Sequence, residues 1–294
     1  MRRIRLASPA KLNLFLKVLH KRPDSFHNIA TIFERIDLSD ELRLTLNPSG
    51  AIRIDCVHPQ VPRGPKNLVY QAAKLLRKDF QIKEGVDIYI KKNIPVAAGL
   101  GGGSGNAATT LRGLNELWKL GLSRSQLLSY ARRLGSDVAF FLYDCPWALG
   151  TERGDFIQKL DVKTKLWHVL VVPCVKIYSG QVYGGLGLAP GLGAPRKVLT
   201  KRNDNVSIFI HHLRRSDIAQ IGHSLVNDLE RVVLLLFPHL KKLEQRLKSL
   251  DTKGVMVSGS GPCVFAITGT KRQAEEVRAV LARRFSRTFV ARTY

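Results

Sequence analysis

The sequence predicts an α+β protein built from two packed domains. The chain has 294 residues, which exceeds the roughly 100–150 residues that usually share one hydrophobic core. Strand-like segments fill the first third and return near the end, with helical segments between them. Because the chain turns polar and charged between Thr151 and Lys165, we expect one domain at residues 1–160 and a second at residues 161–294.

The first domain is expected to start with a strand-rich region. Alternating or continuous apolar residues predict four strands, at Ile4–Ser8, Leu12–Leu19, Ile29–Asp37 and Glu41–Asn47. A helix is predicted over Asn67–Lys78, because its apolar residues fall on one face. The alternating segment Val86–Lys91 predicts a further strand, which leads into a glycine-rich segment.

This glycine-rich segment, Pro95–Gly105, contains five glycines and precedes a predicted helix at Asn106–Lys119. A backbone without Cβ atoms approaches a ligand closely, and its N–H groups and the helix N-terminus bind anionic oxygens. Phosphate is therefore the expected ligand. The Walker pattern requires a Lys followed by Ser or Thr, which is missing, and Ser104 stands where the dinucleotide pattern has its third glycine.

The remaining elements complete a second layer of strands and helices. A helix is predicted over Ser123–Leu134 with Ser123 as its N-cap, then a strand at His168–Pro173 and a helix at His239–Leu250. The final segments predict strand, strand, helix and strand, at Gly254–Val257, Cys263–Thr268, Lys271–Arg284 and Thr288–Arg292. This order suits an antiparallel sheet backed by helices.

The net charge of +24 favours a nucleic acid, an acidic membrane surface or a polyanionic small molecule as ligand. Aromatic residues make up only 7% and basic residues are scattered, so a nucleic-acid-binding protein is the remote alternative. The apolar runs are much shorter than the roughly 18 residues of a membrane span. Four dispersed cysteines lack metal-ligand spacing and predict reduced thiols. We expect a cytoplasmic protein with no membrane partner and no specific nucleic-acid partner.

Three motifs together resemble the GHMP kinase superfamily, which includes galactokinase, homoserine kinase and mevalonate kinase. They are Ala7–Leu16, Pro95–Ala108 and Val257–Phe265, in the family order and at the family spacing. The resemblance implies a ribosomal-protein-S5-like N-terminal domain and a ferredoxin-like C-terminal domain, with the active site between them. It implies a kinase that uses ATP with Mg²⁺ carried on the nucleotide, and no metal-binding residues of its own.

Further motifs narrow the resemblance to the GHMP kinases that act on a cytidine-diphosphate methylerythritol. These motifs are Asp24–His27, Gly135–Phe141 and Asn227–Glu230. They imply phosphorylation of the 2-hydroxyl of that substrate in the non-mevalonate pathway of isoprenoid precursor biosynthesis. The alternative within the superfamily is a kinase for another small alcohol, of the homoserine or mevalonate type. The sequence leaves a monomer and a weak homodimer equally open.

The resemblance also assigns site residues one by one. Asp137 would accept the hydroxyl proton, and Lys11 would keep that carboxylate ionised and orient the hydroxyl. The residues expected to bind the substrate are Asn13, Phe26, His27, Ser179 and Tyr183; His27 would bond the cytosine, and Phe26 and Tyr183 would stack on its two faces. The residues expected to bind ATP are Asn67, Pro95, Val96, Ala97, Ala98, Gly99, Leu100, Gly101, Gly102, Gly103, Ser104, Gly105 and Asn106.

The chain departs from the family pattern at four positions. Ser25 and Phe26 replace a usual Gly and Tyr, Gly105 replaces a Ser, and Ala139 replaces a Pro. The first two changes remove a flexible residue and a hydroxyl beside the expected cytosine. The third removes a hydroxyl that could meet a phosphate or magnesium. These changes bear on substrate affinity more than on catalysis.

Overall fold

The computed structural model describes residues 2–188 and 203–294. The first sheet has seven strands in the described part of the chain. Two long antiparallel strands form its centre, β1 (Arg3–Lys21) and β2 (His27–Asn47). The others are β3 (Ile52–Asp55), β4 (Gly85–Lys91), β5 (Trp147–Thr151), β6 (Phe156–Lys159) and the later β8 (Val226–Asn227).

The four strands predicted near the N-terminus are in fact two. Pro9 does not end the first strand. The register shifts between Pro9 and Ala10, and the pairing with β2 resumes after this irregularity. A proline is tolerated at such a bulge, where one ladder hydrogen bond is missing anyway. Asp40 likewise lies inside β2, where its buried carboxylate accepts hydrogen bonds from the backbone N–H groups of Asn93 and Ile94. Polar residues that read as breaks therefore lie within continuous strands.

Three helices cover one face of this sheet: α1 (Leu68–Asp79), α2 (Gly102–Leu117) and α3 (Arg124–Leu134). The predicted N-cap Ser123 is confirmed, and Gln126 completes a capping box with it. Helix α2 starts at Gly102, four residues before the predicted start, and its N-cap Gly101 has φ 67°. The glycines after Gly101 are therefore the first turn of the helix rather than a loop.

The second sheet has four antiparallel strands, β7 (Trp167–Val171), β9 (Gly254–Val257), β10 (Val264–Thr268) and β11 (Thr288–Arg292), in the order β11-β7-β10-β9. This is the ferredoxin-like order that the resemblance implied. Its helices are α4 (Ser179–Gly184), α5 (Asn203–Arg215), α6 (Ile218–His223), α7 (Glu230–Leu236), α8 (Pro238–Lys248) and α9 (Lys271–Ala282). No helix in the described ranges has the length and apolar character needed to cross a bilayer.

The two sheets share a hydrophobic core, and one strand from the second half of the chain joins the first sheet. Phe15 and Trp147 of the first half pack in one cluster with Phe209 and Phe265 of the second. Strand β8 belongs to the second half of the sequence, yet it pairs in parallel with β1 at Phe15 and Leu16. The predicted boundary near residue 160 falls between β6 and β7. It stays a prediction, since β8 later pairs with the first sheet and a single cut in the sequence does not separate the two sheets.

Candidate active site

The predicted catalytic pair lies together at the centre of the molecule. Lys11 projects from β1 and is only 4% exposed, while Asp137 lies in a 3₁₀ turn after α3 and is 34% exposed. The Lys11 ammonium nitrogen Nζ is 3.5 Å from Oδ2 of Asp137. It also donates to the Asn13 amide oxygen at 2.5 Å and to the Gly99 carbonyl at 3.1 Å. The Asn13 amide in turn donates to the Thr31 hydroxyl at 2.8 Å, so the ammonium is held from three sides.

Two glycine loops meet beside Lys11. The Ser258 hydroxyl donates to the Gly99 carbonyl at 3.1 Å, and the backbone N–H of Cys263 donates to the Ala98 carbonyl at 3.2 Å. A Cβ built on Gly99 would stand 2.4 Å from the Ser258 carbonyl oxygen. Glycine is therefore required at residue 99 by the close approach of the second loop as well as by its φ of 77°.

Side chains of the Asn227–Glu230 motif form hydrogen bonds with the backbone of the second loop, residues 257–261. The Asn227 amide donates to the carbonyls of Val257 and Gly259 at 2.9 and 2.8 Å. A Glu230 carboxylate oxygen accepts the Val257 N–H at 2.8 Å. The motif thus fixes the loop that lies against the Lys11 ammonium, and its role is positional.

A cavity of about 320 Å³ lies on one side of the glycine segment. Every residue predicted to bind ATP lines it except Gly105. Gly105 packs into the protein instead, because a Cβ there would come within 2.9 Å of the Pro9 carbonyl oxygen. The cavity opens on the N-terminal turn of α2, where free N–H groups and the helix dipole favour anions.

Two asparagines of the predicted ATP site are engaged in structural hydrogen bonds. The Asn67 side chain caps α1 by accepting the Val69 N–H at 2.9 Å, and it donates to the Pro62 carbonyl. Asn106 is 3% exposed, and its amide donates to the Ser8 hydroxyl and the Asp40 carboxylate, both at 2.9 Å. Both residues shape the cavity wall, and their direct contact with ATP stays a prediction.

Sequence reasoning missed a cation in this wall. Lys92 follows β4, pairs with the buried Asp40 and lines the nucleotide cavity. A Cβ on Gly102 would lie 3.2 Å from its ammonium nitrogen. The sequence shows Lys92 between a predicted strand and the glycine segment, but only the folded structure shows that its ammonium group lies at the start of α2.

A second cavity, of about 370 Å³, lies on the other side of Lys11 and shares Gly99 and Gly101 with the first. All the residues predicted to bind substrate line it together with the catalytic pair: Lys11, Asn13, Phe26, His27, Asp137, Ser179 and Tyr183. The Ser179 hydroxyl lies 2.8 Å from that of Ser260, which joins α4 to the second glycine loop. The predicted substrate residues are thus brought together around one cavity.

In this cavity Tyr183 stacks on His27, and Phe26 contacts Arg153. The Tyr183 ring stacks on the His27 ring, with centroids 5.4 Å apart and 24° between the planes. Phe26 is 54% exposed, and the Arg153 guanidinium lies 5.3 Å from its ring centroid. Arg153 is a second residue that sequence reasoning missed. The sandwich of a base between Phe26 and Tyr183 stays a prediction.

The turn before these aromatics accommodates the departure from the family pattern. Ser25 has φ 68°, in the left-handed region where the family has glycine. The Asp24 carboxylate supports the turn by accepting the Phe26 N–H at 3.1 Å. The serine therefore adopts a backbone conformation that glycine takes more readily, at some local cost.

Burial sets the protonation of three groups around Lys11. Burial raises the pKa of the Tyr183 phenol, and the nearby Asp137 charge raises it further. Burial and the positive charge of Lys21 lower the pKa of His27, so the imidazole is neutral near pH 7 and offers one donor and one acceptor. Burial raises the pKa of the Cys263 thiol to about 12, which removes it as a nucleophile.

Comparisons with known proteins define the class. The GHMP kinases N terminal domain family matches residues 67–145, and the GHMP kinases C terminal family matches residues 209–287. With the two glycine loops and the strand order, these matches make the protein a GHMP kinase. A homoserine kinase structure from Cytophaga hutchinsonii, 19% identical with a TM-score of 0.75 over 100% of this chain and 95% of its own, supports the fold alone.

More similar relatives identify the family within that class. The 4-diphosphocytidyl-2-C-methyl-D-erythritol kinase of Exiguobacterium sibiricum is 41% identical over 92% of this chain and 91% of its own. The enzyme of the same name from Shouchella clausii is 40% identical over 92% of this chain and 88% of its own. A crystal structure of 4-(cytidine 5'-diphospho)-2C-methyl-D-erythritol kinase has a TM-score of 0.79 at 30% identity, over 98% of both chains. The chain belongs to the 4-diphosphocytidyl-2-C-methyl-D-erythritol kinase family, which confirms the resemblance.

Proposed function

We propose that this kinase transfers the γ-phosphoryl group of ATP to the 2-hydroxyl of 4-diphosphocytidyl-2-C-methyl-D-erythritol. The observation that carries the proposal is the position of Lys11 and Asp137. Both line the cavity of His27 and Tyr183, and the Lys11 ammonium donates to the carbonyl of Gly99, a residue that this cavity shares with the cavity of the glycine segment. A phosphate donor in the cavity of the glycine segment and an alcohol in the cavity of His27 would meet at this pair.

Asp137 is the proposed acceptor of the hydroxyl proton. As the substrate oxygen forms its bond to the γ-phosphorus, the bond from that phosphorus to the β-bridging oxygen breaks, and ADP leaves. The hydroxyl proton passes to the Asp137 carboxylate, which faces the cavity. Asp137 is joined to the rest of the site through Lys11 and is partly exposed, so the proton can leave to solvent after transfer.

Lys11 is proposed to stabilise the negative charge on the transferred group. Its ammonium is buried and oriented by Asn13 and Gly99, so little rearrangement is needed when charge develops nearby. Preorganised donors of this kind lower a barrier more effectively than solvent does. The N-terminal N–H groups of α2 add positive potential on the nucleotide side, where the Lys92 ammonium, paired with Asp40, also lies.

Magnesium enters this proposal bound to ATP. The described residues hold no cluster of three or more His, Cys, Asp or Glu side chains. Magnesium commonly keeps several waters and binds mainly through substrate phosphates, so ATP can carry the ion into the site. The bound ion would neutralise phosphate charge, while Lys11 and the glycine segment position the phosphoryl group.

The cytidine end is assigned to the cavity of His27, Phe26 and Tyr183. A neutral imidazole can accept and donate hydrogen bonds to a cytosine edge, and aromatic faces stack on bases at about 1–3 kcal/mol each. Arg153 adds a guanidinium at the same cavity. A homoserine or mevalonate kinase has no base to recognise, and this set of rings favours the cytidine substrate.

The test is a substrate panel with purified protein, MgATP and coupled detection of ADP. We expect turnover with 4-diphosphocytidyl-2-C-methyl-D-erythritol and background rates with homoserine, mevalonate and uncytidylated methylerythritol. His27→Ala should raise KM for the cytidine substrate more than KM for ATP. The assignment fails if one of the simple alcohols is the efficient substrate, and the cytosine contact fails if both KM values rise equally.

The remaining expectations form part of the same proposal. We include a cytoplasmic location in the proposal, because ATP is available there and because all four cysteines are unpaired, as that compartment favours. The cavities are formed within one chain, so a monomer or a weak homodimer suffices for activity. No specific nucleic-acid partner is proposed.

A further inference from the structure

A third cavity, of about 510 Å³, lies in the C-terminal domain and shares no lining residue with the two cavities of the candidate active site. It is a groove between α8 and α9. Leu243, Val280 and Phe285 give it an apolar floor. Lys242 and Arg246 of α8 and Arg284 after α9 surround that floor, and we call this the α8–α9 groove.

The cations of the groove follow from the pattern of α8. Its leucines Leu240, Leu243 and Leu247 are buried against the sheet. Lys242 and Arg246 are one turn apart and stay exposed beside them. The same spacing that buries the leucines therefore places two positive charges along one edge of the groove.

These cations have no carboxylate partner in the described part of the chain. Among the described residues no Asp or Glu lines the groove. Glu244 of α8 is buried and pairs with Lys248. The two carboxylates of α9 pair within their own helix, in Glu275–Arg278 and Glu276–Arg272. Arg287 is also engaged, since it donates to the carbonyls of Val172 and Pro173. Three formal positive charges thus remain around an apolar floor.

The size and lining of the groove favour a small amphiphilic anion. Cavities of about 300–1,000 Å³ are typical of small-molecule sites, whereas a stable protein partner needs roughly 1,000 Å² of interface. A second copy of this chain is disfavoured by the net charge of +24. A nucleic acid would stack its bases on exposed aromatic rings. The described lining residues offer only two rings, the half-buried Phe285 and the exposed His239, which are too few to hold a run of stacked bases.

We propose that the α8–α9 groove binds a single-chain hydrocarbon that carries a diphosphate group. The hydrocarbon would lie on Leu243, Val280 and Phe285, and the diphosphate would contact Lys242, Arg246 and Arg284. Its roughly three negative charges at neutral pH match these three cations, and charge-assisted hydrogen bonds to arginine are the strong ones. This inference does not depend on the proposed kinase reaction.

The test is calorimetric titration of the full-length protein with geranyl diphosphate, in the presence of saturating ADP and substrate to occupy the kinase site. The first variant is Lys242→Glu/Arg284→Glu, which reverses two groove charges. The second is Val280→Asn, which places an amide on the floor at a residue that is 43% exposed and therefore tolerant. The matched control is Lys74→Glu/Lys78→Glu, which makes the same charge change on exposed residues of α1.

We expect saturable 1:1 binding that is at least tenfold weaker in both groove variants and unchanged in the control. All four proteins should give the same circular dichroism spectrum and a cooperative urea unfolding transition, which shows that each is folded. The proposal is overturned if no binding occurs, or if the control loses as much affinity as the groove variants. It is also overturned if inorganic pyrophosphate binds as tightly as geranyl diphosphate, or if the protein binds only to phosphatidylglycerol vesicles.

Discussion

Gly99→Ala tests the meeting of the two glycine loops. Alanine at a φ of 77° costs about 1–2 kcal/mol. Its Cβ would stand 2.4 Å from the Ser258 carbonyl oxygen and 3.0 Å from that of Gly261, so the loops must separate by about 1 Å to restore van der Waals contact. That movement breaks the hydrogen bonds from Ser258 and Lys11 to the Gly99 carbonyl, at about 1 kcal/mol each. We expect a total loss of about 3–4 kcal/mol of stability.

The catalytic consequence follows from the same displacement. A misplacement of about 1 Å in a reacting constellation can lower turnover about 100-fold, and Lys11 would lose the Gly99 carbonyl that helps to orient its ammonium group. Turnover is measured by coupled ADP release and stability by urea unfolding. Gly103→Ala is the control for the backbone, because a Cβ there meets no atom within 4 Å and the residue is helical. If Gly99→Ala keeps wild-type turnover and stability, or if Gly103→Ala is equally destabilised, the two loops do not constrain residue 99 as argued.

Three further predictions address other parts of the site and the domain interface. Asp137→Asn should lower kcat by about 10²–10⁴-fold with unchanged circular dichroism; near wild-type kcat would remove Asp137 from proton transfer. Burial raises the pKa of Glu230 to about 7, so the folded state holds an extra proton between about pH 4.5 and 7, and stability falls as pH rises through this range. Glu230→Gln should remove that fall in urea unfolding curves, and an unchanged pH profile would contradict the assignment. Glu34 is fully buried, 2.9 Å from His168 and 2.6 Å from Thr293. Glu34→Ala leaves these two buried polar groups without their partner, which should cost about 1–3 kcal/mol of stability for each, and a total loss below 1 kcal/mol would argue that the cluster is dispensable.

The segments that line the two cavities could be found in the sequence because their motifs are local. Lys11, Gly99–Gly103 and Asp137 each lie in a short segment whose spacing and residue types indicate chemistry. Helix α2 also follows from periodicity, but its start does not, since a glycine-rich stretch carries no apolar pattern to mark the first turn. The structure resolves this through the N-cap Gly101, whose left-handed φ begins the helix.

The long-range contacts were not predictable from local patterns. Lys92 and Arg153 are ordinary basic residues in the sequence. Lys92 reaches the first cavity because the segment after β4 lies against the start of α2, and Arg153 reaches the second because the β5–β6 turn lies near Phe26. Asn106 fitted a phosphate loop in the sequence, yet its amide is bonded to Ser8 and Asp40. These partners lie 98 and 66 residues away along the chain, beyond the reach of any spacing rule.

The pairing of the late strand β8 with β1 has a consequence for synthesis on the ribosome. The β1 edge at Phe15 and Leu16 stays open until Val226 and Asn227 have been made, and Glu34 lacks its partner Thr293 until that residue has been made. The nascent first sheet therefore has an unpaired edge close to Lys11 until residue 227 has been made. Open edges are sites of wrong pairing between chains, so a gene truncated after residue 160 should yield an aggregation-prone fragment rather than half of a working enzyme.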